Sequence, residues 1–326
     1  MRTLVPYGAD TVPADWGIRR AARLAFPGPA ELAADPVHGE RLRVYLTDLL
    51  GPHGLRLDDG PPARGGQSYG EMAEELIRRT VPPGESVDLL VLAYSVPDIA
   101  PGRATTTRLS HVCPGGPMAF AVTDQGSAAA FTALRLIRAY AAGAGLRRAL
   151  LLIVEQQALP YDPGVPVTLP DAAYGVALLL GEPAAGERPM VPCLVATHAR
   201  PSPVAAAAPL RVPAAHPAAL DAEPEPEPGA RAFEAALAAE LAAGAGPVTA
   251  VLAAGLADRA PALAAGGGSV RVVDIGRPLT GVWWELAGEP ADPPPGARRL
   301  ILADRDPVHG DLSLAVFDTA ATGRPR

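Results

Sequence analysis

The chain has 326 residues, 48% of them hydrophobic, and a formal net charge of -7 at pH 7. That length suits one large domain or two similar halves, and the apolar fraction can fill a sizeable core. Basic residues are scattered and number 28 against 35 acidic ones, which argues against a nucleic-acid surface.

No apolar run approaches the ~18 residues of a membrane span, so none is expected. The N-terminal stretch lacks a basic segment followed by a long apolar run, so no signal peptide is expected. The two cysteines, Cys113 and Cys193, lack metal-type spacing, and a reducing cytoplasm is the expected compartment.

The first 66 residues carry few signals beyond a helix over Glu40–Leu50. "SYGEMAEELIRRTV" has the marks of a helix: Ser68 can cap it, acidic residues crowd its start and arginines close it. "VDLLVLAYSV" is a continuous apolar run of strand length, suited to a strand buried on both faces. A connection with one short helix leads to "MAFAVT", a second such strand. The tight polar turn Asp124–Ser127 then opens a helix with Phe131, Leu134, Ile137 and Tyr140 on one stripe, ended by Gly143 and Gly145. "RRALLLIVEQQ", "DAAYGVALLLGE" and "PMVPCLVATHARP" are three more strands.

Residues 201–229 shift to Pro and Ala with an acidic Glu-Pro run, as expected of an extended surface connection. A second α/β pattern follows. "ARAFEAALAAELAAG" reads as helix, "PVTAVLAAG" as strand, "LADRAPALAAGG" as helix and "SVRVVDIG" as strand. "TGVWWELAG" starts another helix, and "ARRLILADRD" with "DLSLAVFDT" forms a closing hairpin. Helices alternating with buried strands indicate an α/β fold of two halves, residues 1–185 and 186–326.

Four of these segments, in order, resemble the thiolase-like superfamily, most closely the ketoacyl synthases of the third, acyl-CoA-priming type. They are "SVDLLVLAYSVPD", "GGPMAFAVT", "LRRALLLIVEQ" ending in Glu155, and "LPDAAYGVALLLG", which keeps Asp171 but has Pro170 for a glycine. The resemblance covers roughly residues 68–182; the C-terminal half agrees in element order. It implies a layered α-β-α-β-α core of two related halves. It further implies a cysteine nucleophile at the start of the central helix, a histidine and an asparagine that stabilise an enolate, and an oxyanion hole of backbone N–H groups, one from a C-terminal glycine-rich loop.

This chain departs from that set at every side chain. The nucleophile slot falls at Gly126 or Ser127, with Ser127 in better register. "AAGLADRAP" lacks the histidine, and "DIGRPLTG" puts Arg277 near the asparagine slot. The terminal loop is "DPVHGDLSLA", only partly glycine. Ser127 as a nucleophile needs a neighbouring base, and His309 in that loop is the candidate, ahead of His198. The plainer reading of Ser127 is a helix N-cap. Asp124 and Gln125 are expected to cap the same helix. Cys113 and Cys193 are expected to be structural, and His38, His53, His111 and His216 to be solvated in loops. Trp16, in "ADWGIRR", resembles a CoA-facing segment of the family, though packing is the commoner role of a lone tryptophan; Trp283 and Trp284 are expected in the core.

What the resemblance implies is therefore a ketosynthase-like protein of polyketide or fatty-acid biosynthesis, with two main readings. One is a catalytically degenerate subunit, paired as a heterodimer with an active ketosynthase and shaping its acyl pocket. The other is a serine-dependent acyltransferase with Ser127 as nucleophile and His309 as base. A third is a homodimer that binds acyl thioesters. No bound cofactor is expected; acyl-CoA, or the phosphopantetheine of an acyl carrier protein, would be the substrate carrier.

Overall fold

The computed structural model describes residues 16–28, 35–57, 67–100, 104–159, 161–162, 167–185, 187, 189–198, 228–243, 246–265, 268–289 and 298–319. The connection expected at residues 201–229 lies almost wholly outside them, as does His216.

Ten strands form one continuous sheet. In chain order they are β1 (Gly17–Phe26), β3 (Leu89–Ala93), β4 (Met118–Val122), β5 (Arg148–Glu155), β7 (Ala173–Gly181), β8 (Met190–His198), β9 (Val248–Leu252), β10 (Ser269–Val272), β11 (Arg298–Arg305) and β12 (Leu312–Thr319). A small separate pair joins β2 (Arg56–Leu57) to β6 (Tyr161–Asp162). The helices are α1 (Pro36–Leu50), α2 (Tyr69–Thr80), α3 (Thr105–Val112), α4 (Ala128–Ala144), α5 (Pro228–Ala242), α6 (Ala260–Ala265) and α7 (Gly281–Ala287).

The strand order is β10-β9-β11-β12-β8-β1-β7-β5-β3-β4. It is a five-strand pattern used twice, back to back. β4, β3 and β5 run parallel, and β7 and then β1 are added antiparallel. In the same way β10, β9 and β11 are parallel, and β12 and β8 are added antiparallel. β1 thus corresponds to β8, β5 to β11, and the crossover helix α4 to α7. The two patterns meet at one antiparallel pair, Ile18 with Met190.

Strand alternation builds the layers. Along β5, Ala149, Leu151 and Ile153 enter one core, whereas Leu150, Leu152 and Val154 enter another. Along β11, Leu300 and Leu302 share the first core, and Ile301 and Ala303 join a third. Both faces are apolar, which is why these strands read as unbroken hydrophobic runs. The shared core lies between the two halves of the sheet and holds α4 and α7, with Phe131 against Trp283 at 4.8 Å between ring centroids. α2 and α3 cover one outer face, and α5 covers the other through Phe233 and Leu237. The result is the expected α-β-α-β-α layering.

Local signals hold where they were strong. Ser68 and Glu71 form a reciprocal capping box at the start of α2. Gly145 ends α4 in the left-handed conformation. Several expectations need correction. β1 has no clear sequence signature, because "GIRRAARLAF" alternates weakly, yet it is a central strand. β4 is a sheet edge with Met118 exposed, not a strand buried on both faces. "LADRAPALAAGG" splits into a 3-10 turn, Ala254–Arg259, and the short α6. His38 and His111 lie on helices rather than loops, with His38 Nε2 2.9 Å from the Ile99 carbonyl. Cys193 is exposed rather than core, its thiol donating to Asp318 at 3.2 Å.

The seam between the halves depends on Gly17, where a Cβ would stand 2.5 Å from the Met190 carbonyl oxygen. The obstacle is backbone and cannot swing away. Gly17→Ala should lower unfolding free energy by about 1–3 kcal/mol. Urea denaturation checks this; an unchanged midpoint would mean that the seam relaxes freely.

Candidate functional site

The polar turn before α4 is built from two left-handed residues, Asp124 at φ 61° and Gly126 at φ 50°. Aspartate tolerates this conformation better than most residues, and glycine adopts it without strain. Gly126 has a second reason to lack a side chain. A Cβ there would overlap the carboxylate of Asp306.

Asp306, only 2% exposed, follows the end of β11 and fills the space in front of the helix. Its Oδ2 accepts the backbone N–H of Ser127 at 2.7 Å. Its Oδ1 accepts the N–H groups of Val308 at 3.0 Å and His309 at 2.6 Å, and lies 3.0 Å from His309 Nδ1. A carboxylate at a helix N-terminus is favoured by the helix dipole and by the N–H groups left without intrahelical partners.

Ser127 itself is buried and makes no side-chain cap. The N-cap role expected of its hydroxyl is therefore not the one it plays. The hydroxyl instead hydrogen-bonds Asp304, and the backbone N–H goes to Asp306. Burial pushes the Asp304 carboxyl up to about 7; the Ser127 hydrogen bond opposes that rise and the negative charge of Asp306 adds to it.

That Asp304 is buried was legible in principle, though not what it meets. Alternation along β11 puts Leu300, Leu302 and Asp304 on one face, the face toward α4. An aspartate continuing an apolar stripe marks a buried polar site.

Ser127 and His309 both grip Asp306. No hydrogen bond joins the imidazole to the serine hydroxyl among the described residues, and the ring is half exposed. His198 lies elsewhere, its ring edge-on to Phe233 of α5 in the outer layer. Gln125 does not cap α4; its Oε1 accepts from the Thr132 hydroxyl at 2.7 Å.

The C-terminal half repeats the arrangement with the roles exchanged. Glu155, the last residue of β5, is 2% exposed and faces the start of α7. Its carboxylate accepts the N–H groups of Leu279 at 2.9 Å and Thr280 at 3.3 Å, and also the Thr280 hydroxyl. Burial pushes Glu155 up to about 7, against those hydrogen bonds and the charge of Arg277. Arg277, in the loop that enters α7, stacks on Tyr174 at 5.6 Å and Trp284 at 5.1 Å.

The remaining candidates are structural. Trp16 and Trp283 are buried in the middle core. Cys113 is buried under α2 and α3, and burial pushes its thiol up to about 11, away from nucleophilic character. The Cys193 thiol is also pushed up to about 11, by burial first and then by Asp318. Among the described residues no cluster of His, Cys, Asp and Glu suits a metal ion, and no helix is long and apolar enough to cross a membrane.

No protein-family model matches the sequence, and no curated protein matches it. Solved structures do. The acyltransferase ChlB3 aligns with a TM-score of 0.57 at 20% identity, over 94% of this chain and 98% of that one. AbyA1, a tetronic acid condensing enzyme, aligns at 0.55 and 20% identity, over 93% and 99%. The 3-oxoacyl-(acyl carrier protein) synthase III of Pseudomonas aeruginosa PAO1 aligns at 0.52 and 14% identity, over 96% and 100%. A Cys-to-Ser variant of Xanthomonas campestris OleA, solved with lauric acid and lauroyl-CoA, aligns at 0.52 and 13% identity, over 94% and 99%. The chain shares the thiolase-like fold of these structures over nearly its whole length.

The raised Asp304 sets a pH prediction. A carboxyl with a raised folded pKa holds a proton that the unfolded chain releases. Its contribution to stability is full below the unfolded value near 4 and is lost as pH rises through about 7. Wild-type stability relative to Asp304→Asn should therefore fall between about pH 4 and pH 7, read as the difference in urea midpoints. A constant difference across that range would show that Asp304 ionises normally.

Proposed function

We propose that this chain is a ketosynthase-fold protein of polyketide or fatty-acid biosynthesis that does not carry out decarboxylative condensation. It serves as a non-condensing subunit that pairs with an active ketosynthase. The observation that carries this reading is the hydrogen bond from Ser127 N–H to Asp306. The resemblance implies an oxyanion hole of backbone N–H groups for an acyl thioester, and the N–H at the nucleophile turn is a natural member of it. Here that donor is held by a carboxylate of the chain itself, and an incoming carbonyl would have to displace a charge-assisted bond of about 1.5–3 kcal/mol. The carboxylates also oppose the negative charge that would develop on an acyl carbonyl. With no histidine or asparagine at the enolate-stabilising slots, neither half of the condensation has its machinery. The partners on this reading are an active ketosynthase and an acyl carrier protein.

A second reading has one specific observation in its favour. The Ser127 hydroxyl meets Asp304, whose carboxyl is raised to about 7, into the range of a general base. A serine acyltransferase on this site would use Asp304, rather than His309, as the group beside the hydroxyl.

Intact-mass measurement after incubation with octanoyl-CoA distinguishes the two. The expected result is no adduct, together with one-to-one co-purification with a ketosynthase encoded beside it. An octanoyl adduct that vanishes in Ser127→Ala would overturn the first reading and establish the second. The blocked donor can also be probed directly. In a Ser127→Cys background the introduced thiol should alkylate slowly with iodoacetamide, and adding Asp306→Gly should speed it about tenfold or more. Equal rates in the two variants would show that Asp306 does not govern the slot.

A further inference from the structure

The group least explained by the non-condensing reading is Arg277. It stands near the slot where the resemblance puts an asparagine, but its side chain is handled quite differently. The guanidinium lies over the ring of Tyr174 at 5.6 Å and the ring of Trp284 at 5.1 Å, both within cation–π range. The two rings are locked edge to face at 5.3 Å. The other arginine at this spot, Arg23, sits 5.1 Å from the same Trp284 ring and donates to the Trp284 carbonyl at 2.8 Å.

Arg277 therefore has walls but no acceptors. Among the described residues its guanidinium N–H groups make no hydrogen bond and no ion pair; its backbone N–H donates to the Asp274 carbonyl at 3.4 Å. The neighbouring carboxylates are engaged with other donors. Asp171 accepts the Tyr174 hydroxyl at 2.7 Å, Asp274 accepts the Gly276 N–H at 3.1 Å, and Glu155 is occupied by Leu279 and Thr280. A guanidinium set against aromatic rings finds no hydrogen-bond acceptor in them, so its N–H fork stays available to a ligand. That fork matches the paired oxygens of a carboxylate or a phosphate. In this partly exposed position the five guanidinium donors are open to an anionic ligand arriving from solvent.

We propose that Arg277, walled by Tyr174 and Trp284, is an anion-recognition site for the carboxylate or phosphate group of a small ligand. The site lies between the start of β7 and α7, beside Glu155 rather than at Ser127. It stands independently of the non-condensing reading. An acyl adduct at Ser127 would leave it intact, and its own failure would leave that reading intact.

The test uses the whole chain at constant ionic strength, titrated by calorimetry with inorganic phosphate in one arm and succinate in the other. The expected result is saturable binding in at least one arm, which identifies the source chemistry, weakened about tenfold or more in both Arg277→Gln and Arg277→Lys. Lysine is included because it keeps the charge and loses the planar fork. Arg78→Gln, an exposed surface change on α2, should leave binding unchanged. Should the Arg277 variants fail to fold, the wild type answers alone. A bound anion should slow phenylglyoxal modification of Arg277, mapped by peptide mass, and not that of Arg78. Absence of saturable binding in both arms, binding undiminished in the folded variants, or no selective protection would each overturn the proposal.

Discussion

Two buried carboxylates hold the middle of this molecule together, and each belongs to the opposite half from the helix it caps. Asp306, beyond the end of β11, receives the N-terminus of α4, and Glu155, ending β5, receives the N-terminus of α7. β5 and β11 are equivalent strands and α4 and α7 are equivalent helices, so the two contacts are related by the pseudo-twofold of the fold. Both central helices point their unpaired N–H groups into a core from which water is excluded. Those donors have to be met by the protein. The repeated sheet supplies the solution twice, because in each half the strand that follows the central helix ends beside the central helix of the other half.

On the proposed reading, the same constraint accounts for a turn before α4 that does not receive substrate. On that reading, acyl transfer at this turn would need its backbone donors free for substrate. In this chain the same donor is given to structure. Burial in this middle layer leaves two carboxyls, Asp304 and Glu155, raised to about 7. Arg277 belongs to the same economy, since its charge faces Glu155 while its N–H edge remains unspent.

The sequence was most informative where one physical signal dominated. The capping box of α2 and the apolar runs of β3, β5 and β7 each have a short-range cause that survives folding. β1 escaped notice because Arg19, Arg20 and Arg23 break its pattern. Its buried guanidinium, Arg19, is neutralised by Glu85 and Glu187, which are 66 and 168 residues away along the chain. The slot at Ser127 was locatable from the turn and the helix alone. What fills it was not, because the nearest charged groups, Asp304 and Asp306, arrive from the far end of the chain. The edge position of β4 is likewise a property of the assembled sheet, since an edge strand and a central one can share an apolar composition.

The absence of a side chain at Gly126 carries a consequence for how such a molecule could change over generations. Any larger residue at 126 collides with Asp306, so drift at the turn is blocked for as long as that aspartate remains. Loss of Asp306 first would leave a buried N–H at Ser127 without a partner. Either single change passes through a less stable protein, and only a concerted pair of changes avoids it. The turn thus behaves as a ratchet: once the aspartate and the glycine have settled on each other, neither is free to change while the other stays.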